Sequence, residues 1–291
     1  MKSVDFIWQE ENMKVKKDGK VVYLTFPSFD DIEGIKHGFS TRMGGVSEGI
    51  YASMNLSFTR GDSDEAVMDN FKRISDAIGF PVGSIVCSDQ THTNNVLKVG
   101  KEDCGNGILR KKPYADIDGM ITNEVGVTLA TFYADCVPLY IVDPVHKAIG
   151  LSHSGWKGTV LKIGKVTIEA MTKEYGTNPT DVIVAIGPSI CQDCYEVSED
   201  VIAEFRESFT DEQCADMIID KGNGKYQLDL WKACVVNFLE AGVPLENITV
   251  GGLCTCCNAD KMFSHRASHG KRGNLGAFLT ILPSYKKTII M

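Results

Sequence analysis

Apolar residues in this chain fall into short runs broken by turn formers, with a few stretches of helical spacing between them. Val21-Val22-Tyr23-Leu24-Thr25-Phe26 is rich in β-branched and aromatic residues and predicts a strand. Phe39-Ser40-Thr41-Arg42 predicts another, ending at the turn-forming Gly44-Gly45. Val67, Phe71, Ile74 and Ile78 recur at helical spacing; Asp62 or Ser63 can cap that helix, and Gly79 followed by Pro81 stops it. Strands are expected over 84–89 and 95–99, flanking a turn that carries His92. The densest region is 118–153, where apolar runs at 119–122, 127–132, 139–142 and 148–152 imply a sheet buried on both faces. A helix is expected from Gly158 to about Tyr175 with Val160, Ile163, Thr167 and Met171 inward. A strand over 181–186 should then lead into the Gly187-Pro188 turn, followed by helices over 199–209 and 230–241 and a strand over 248–250. Hairpin-like strands interspersed with helices, with no low-complexity linker and no solenoid repeat, argue for a single compact α+β domain.

Composition narrows the partners. The 291 residues are 43% hydrophobic and 23% charged, enough to bury a substantial core. The net charge is −8 and no basic cluster exceeds Arg110-Lys111-Lys112, so the basic face that nucleic acid requires is missing. The first residues lack the apolar segment of a signal peptide and no apolar run reaches the length of a membrane span, so a cytoplasmic protein with no membrane partner is expected. Ten cysteines then read as thiols, unless they bind metal or react.

Three separated residues suit a metal: His92 in Ser88-Asp89-Gln90-Thr91-His92, Cys136 in Tyr133-Ala134-Asp135-Cys136-Val137-Pro138, and His153 in Ser152-His153-Ser154-Gly155-Trp156-Lys157-Gly158. Two imidazoles and a thiolate are the ligand types of a catalytic zinc site, which uses three protein ligands and keeps a fourth position open. Read singly, each has a plainer explanation: a turn histidine, a buried small hydrophobe, a capped helix start. Asp135 beside Cys136 would be costly in a dry core without a partner, and can move a proton or support a ligand. Gln90 can orient the His92 imidazole or touch substrate. The helix start after His153, with Lys157, suits an anion. A rival metal site is spelled by Cys191-Gln192-Asp193-Cys194 and Cys254-Thr255-Cys256-Cys257, whose paired spacings fit a four-cysteine structural zinc.

Several longer motifs occur in one order: Ser40-Thr41-Arg42-Met43-Gly44-Gly45-Val46-Ser47, Asp118-Gly119-Met120-Ile121-Thr122, Thr131 to Pro138, His153 to Gly158, and Ile186-Gly187-Pro188-Ser189-Ile190 with Cys194-Tyr195-Glu196-Val197. In them the chain resembles the purine nucleoside phosphorylase family formerly described as multicopper polyphenol oxidase (laccase-domain) proteins. The resemblance runs from about residue 35 to 282. Residues 1–34 are therefore read as a strand-containing extension packed on the core, and 35–291 as the catalytic domain. It implies a mixed-sheet αββα sandwich with the site between the sheets, and a zinc-dependent enzyme (copper being the alternative metal) whose ligands are His92, Cys136 and His153. Asp135 joins these three as a catalytic candidate. Arg42, Gln90, Trp156, Lys157, Gly187 and Arg266 are the expected substrate contacts, and the two Cys-x-x-Cys segments fall where the family implies no metal. The chain departs from the family pattern at Lys157 and Cys234, where Arg and Asn are usual, and in Met262-Phe263-Ser264-His265-Arg266-Ala267. These departures bear on substrate preference, because Lys and Arg bind planar anions differently.

The activity implied is phosphorolysis of adenosine, inosine and guanosine, with methylthioadenosine a further candidate, together with adenosine deamination. Purine nucleosides and phosphate would be its small-molecule partners. Two alternatives stand beside it: a metal-free cysteine hydrolase or deamidase using Cys136 and His153, and a copper-dependent polyphenol oxidase. A full multicopper centre takes on the order of ten histidines, and the chain has six.

Overall fold

The computed structural model describes residues 4–283. Two six-stranded mixed sheets lie face to face. The first is built, in spatial order, from Lys14–Asp18, Val21–Thr25, Ile35–Ser40, Leu275–Ile281, Thr128–Tyr133 and Ile85–Cys87. The second runs Ile248–Val250, Ile183–Ile186, Val137–Asp143, Ala148–Ser154, Gly119–Thr122 and Val96–Lys98. Between them Leu24, Phe26, Phe39, Leu129, Tyr133 and Leu279 from one sheet pack against Met120, Tyr140, Val142, Ile149 and Leu151 from the other. The helix Asp64–Ile78 covers the outer face of the first sheet through Val67, Phe71, Ile74 and Ile78. The helices Ile163–Tyr175 and Leu230–Glu240 cover the outer face of the second. The molecule is thus an α+β sandwich of four layers, α, β, β, α. No helix among the described residues is long and apolar enough to cross a membrane.

Local chemistry accounts for most of these boundaries. Ser63 caps Asp64–Ile78 by accepting from the Ala66 N–H, and Gly79 ends it at φ 98°. The dense region 119–154 does form strands buried on both faces, but they belong to two sheets. Thr128–Tyr133 crosses into the first sheet, while its neighbours in sequence stay in the second. The helix expected from Gly158 is two helices, Trp156–Val160 and Ile163–Tyr175, separated where Lys162 takes a left-handed φ of 57°. The pattern along the chain did not predict the central strand Leu275–Ile281, the helix Asp211–Met217, or the small sheet of Glu196–Ser198, Lys225–Leu228 and Ile218–Gly222.

One core position makes stability depend on pH. His37 is buried in the strand Ile35–Ser40, and its Nε2 accepts the Phe26 N–H at 2.7 Å beside the rings of Phe29 and Tyr140. Burial disfavours the imidazolium and lowers its pKa from 6.5 to about 4. The fold therefore holds neutral His37. Its contribution is complete above pH 6.5 and is lost as pH falls toward 4, with a full size of about 3 kcal/mol. Urea unfolding at a series of pH values should show this loss, and His37→Gln, which keeps an acceptor and cannot charge, should flatten it. An equal slope in the variant would remove His37 as the cause.

Candidate metal centre

The loops that carry His92 and Cys136 meet the end of the strand Ala148–Ser154, which carries His153, and bring the three residues together. Their ligand atoms all lie within 4.8 Å of one another, and Cys136 Sγ is 3.9 Å from His92 Nε2. A tetrahedral ion with ordinary zinc–sulfur and zinc–nitrogen bonds separates such a pair by about 3.5 Å. Two imidazoles and a thiol, with His92 exposed and His153 buried, thus fit a metal open to solvent on one side. Gly155 makes the convergence possible: a Cβ there would stand 2.6 Å from His92 Cδ2 and 3.2 Å from Cys136 Sγ. His92 and Asp135 both hold left-handed backbone, at φ 67° and 88°. Such conformations persist only where the surroundings enforce them.

Asp118 is what enforces the first. Fully buried, its Oδ1 accepts from His153 Nδ1 at 2.8 Å and from the His92 N–H at 3.1 Å, while Oδ2 accepts from the Thr91 and Thr93 N–H groups. One carboxylate thereby fixes the loop of one imidazole and the ring of the other. Burial alone would raise its pKa, but the His153 hydrogen bond and the Thr93 and Thr91 amides outweigh it and hold it at about 2. Burial would likewise raise the Cys136 thiol, yet His153 and His92 bring it down to about 6. His153, which burial would lower, is raised to about 9 by Cys136 and Asp118. Each of Cys136 and His153 thus favours the charged form of the other, with the Asp118 carboxylate behind the imidazole. Sequence reasoning passed over Asp118 as a site residue. The signal was available, because a ligating histidine ordinarily donates its second N–H to a carboxylate, and Asp118 opens one of the motifs quoted above.

A cavity of about 390 Å³ adjoins the three residues, within the range of small-molecule sites. Phe58 and Phe132 line it, both in ring contact with Phe71, at 5.7 and 5.9 Å between centroids. Arg60, Lys112 and Arg272 supply its positive charge. Arg272 is 9% exposed and its Nε has no partner. Burial, then the neighbouring Arg60, lower its pKa to about 10. Arg60 and Arg272 together make this part of the cavity suited to an anion.

Of the other expected contacts, Gln90 alone lines this cavity. Its amide is spent on the Phe132 backbone, accepting from N–H and donating to C=O at 2.7 Å each. Arg42 lies outside this cavity, donating to the Ala52 and Ala259 carbonyls and stacking 4.7 Å over Phe263. Lys157 is exposed, 5.5 Å from the ring of the half-buried Trp156, and neither lines the cavity. The helix they begin, Trp156–Val160, has only five residues. Gly187 is a packing position, where a Cβ would meet Pro138 Cγ at 2.6 Å. Arg266 donates to the Cys194 and Glu196 carbonyls. Asp135 is buried with both carboxylate oxygens engaged, Oδ1 by the Thr255 hydroxyl and Oδ2 by the Arg266 N–H, each at 2.7 Å. These are the contacts of a residue that positions the Cys136 loop.

Asp118→Asn keeps the shape and removes the charge behind His153. Zinc affinity, measured by competition with a chromophoric chelator, should fall about 10- to 100-fold, the scale of such outer partners. Unchanged affinity would leave Asp118 with a folding role alone.

A family model described as multi-copper polyphenol oxidoreductase laccase matches residues 36–282. The purine nucleoside phosphorylase YlmD of Bacillus subtilis is 38% identical over 83% of this chain and 87% of its own. A purine nucleoside phosphorylase of Bacteroides thetaiotaomicron is 34% identical over 90% and 97%. The crystal structure of YlmD from Geobacillus stearothermophilus superposes with a TM-score of 0.86 at 33% identity, covering 94% of this chain and all of that one. With the fold and the length of the match in agreement, the chain belongs to the laccase-domain family that includes these purine nucleoside phosphorylases.

Proposed function

We propose that the protein is a zinc-dependent purine nucleoside phosphorylase acting on adenosine, inosine and guanosine, with methylthioadenosine as a further substrate. The observation that carries this reading is the shared cavity: three side chains of metal-ligand type, two aromatic walls and the arginines Arg60 and Arg272 line one space. The names of the relatives supply the substrate class.

In this reading Phe58 and Phe132 hold the purine by its faces. Arg272 and Arg60 bind phosphate and set one of its oxygens toward the ribose anomeric carbon. That oxygen forms the new C1′–O bond as the C1′–N9 bond breaks, and the base leaves with the electron pair and takes a proton. His92, Cys136 and His153 would hold zinc, which supplies a Lewis acid with an open position and lowers the pKa of water toward about 7. Asp118 keeps His153 in the tautomer that presents its other nitrogen to the site. Adenosine deamination fits the same pocket, with water directed to the purine ring in place of phosphate to the sugar. Only two of the six histidines reach the site, too few for a multicopper centre, and zinc is the metal of this reading because its catalytic sites use three protein ligands and one open position. His37 lies in the core, His146 pairs with Asp143, His265 faces Arg272, and His269 sits in a turn whose N–H donates to the Arg266 carbonyl.

Incubation of inosine with the zinc-loaded protein, with and without phosphate, tests the reading by chromatography. Ribose 1-phosphate and hypoxanthine should form only with phosphate; free ribose as the sole sugar product would mean hydrolysis. A second reading has its own observation. Cys136, His153 and Asp118 also form the constellation of a cysteine nucleophile, its base and its orienting carboxylate. Chelated protein that retains its activity, with alkylation of Cys136 undiminished by zinc, would favour that hydrolase.

A further inference from the structure

Four of the eight cysteines outside the cavity cluster in one place. The strands Ile183–Ile186 and Ile248–Val250 are parallel neighbours in register, Val184 opposite Ile248 and Ile186 opposite Val250. Their following loops therefore leave the sheet at the same end, side by side. The Ser189 N–H donates to the Leu253 carbonyl at 3.2 Å and the Thr255 N–H to the Ser189 carbonyl at 3.1 Å, stitching the loops together. Each loop carries one Cys-x-x-Cys turn, Cys191 with Cys194 and Cys254 with Cys257.

The four sulfurs lie within 4.8 Å of one another, with Cys194 to Cys257 at 3.5 Å and Cys191 to Cys257 at 4.0 Å. These separations are far beyond the ~2.05 Å of a disulfide bond. They bracket the roughly 3.8 Å edge of a sulfur tetrahedron around zinc at a bond length of ~2.3 Å. Cys254 Sγ also accepts backbone N–H groups from Cys191 at 3.3 Å and Cys257 at 3.4 Å. Donors aimed at a sulfur are what a metal-bound thiolate uses to spread its charge. Cys191 and Cys254 are buried, and Cys194 and Cys257 are half-buried.

We infer that Cys191, Cys194, Cys254 and Cys257 form a closed structural zinc site, distinct from the His92, Cys136 and His153 centre. All four positions are filled by protein, so the site has no vacancy for substrate. Its task is to hold the loops that support the neighbouring centre. Thr255, inside one Cys-x-x-Cys turn, donates to Asp135. The Ile190 N–H donates to the Asp135 carbonyl at 2.9 Å, and Arg266 links Asp135 to the Cys194 carbonyl. Asp135 precedes Cys136 directly, so the cysteine tetrad fixes the left-handed residue from which a catalytic-site ligand projects.

The inference does not depend on the proposed reaction, and its test reads metal. Protein purified without added zinc should carry about two equivalents per chain. Cys136→Ala should keep about one, and X-ray absorption should place that zinc in a shell of four sulfurs. A Cys194→Ser, Cys257→Ser double variant should lose about one equivalent and melt at a lower temperature. If either variant fails to fold, the wild-type spectrum decides, since two such zincs share about five sulfurs and two histidine nitrogens. Zinc absent from Cys136→Ala, a wild-type shell with about one sulfur per zinc, or a mass spectrum of the purified chain with the four cysteines paired as disulfides would overturn the assignment.

Discussion

Cys136→Ala should reduce nucleoside cleavage by at least about a thousandfold. The substitution removes the one anionic ligand from the His92, Cys136 and His153 centre, and a Lewis acid at a reacting oxygen contributes several kcal/mol, with each 1.36 kcal/mol worth tenfold. The fold should survive, because Cys136 is half-buried at a loop end and its loop is held by Asp135 through Thr255 and Arg266. Activity assays, metal analysis and thermal melting on the same preparation separate the possible causes. Activity and about one zinc equivalent lost together, at a near-parental melting temperature, is the expected result. A folded variant that keeps activity with its zinc count unchanged would remove Cys136 from the chemistry. Activity lost without any change in zinc would point instead to the nucleophilic role, with His153 as base and Asp118 behind it.

What could be read along the chain, and what could not, divides by range. The helix Asp64–Ile78 was legible because its apolar stripe repeats at helical spacing and Ser63 and Gly79 punctuate it. Leu275–Ile281 was not. It sits in the middle of its sheet, buried on both faces, so it shows no alternation and its run of apolar residues is ambiguous by period alone. His92, Cys136 and His153 were legible as residues of metal-ligand type, and the structure brings their ligand atoms together. Asp118 and Arg272 were not legible, because their roles exist only across the fold. Asp118 is 35 residues from His153 in sequence and 2.8 Å away in space. Arg272 in Gly270-Lys271-Arg272-Gly273 reads as a solvated loop charge, and only burial and an unpartnered Nε distinguish it. Arg42 and Lys157 had the right charge in suggestive local settings, but the carbonyls that hold Arg42 and the solvent around Lys157 lie beyond what spacing can report.

That contrast yields a prediction about phosphate. Arg272→Met keeps the length and apolar stem of the side chain while removing its donors, and should raise the phosphate KM by roughly 10- to 100-fold. A charge-assisted hydrogen bond to an anion is worth about 1.5 to 3 kcal/mol. Relief of the Arg60–Arg272 repulsion should at the same time stabilise the free protein, because the variant no longer buries a guanidinium whose Nε lacks a partner. Higher melting temperature with weaker phosphate binding is the pattern of a residue kept for function at a cost in stability. Lys157→Met, at an exposed position outside the cavity, should change neither quantity appreciably. Inosine KM serves as the internal control, since the nucleoside rests on the Phe58 and Phe132 walls. If Arg272→Met leaves the phosphate KM where it was while Lys157→Met raises it, the anion site lies at the start of the helix Trp156–Val160, and the arginine pair serves only to shape the cavity wall.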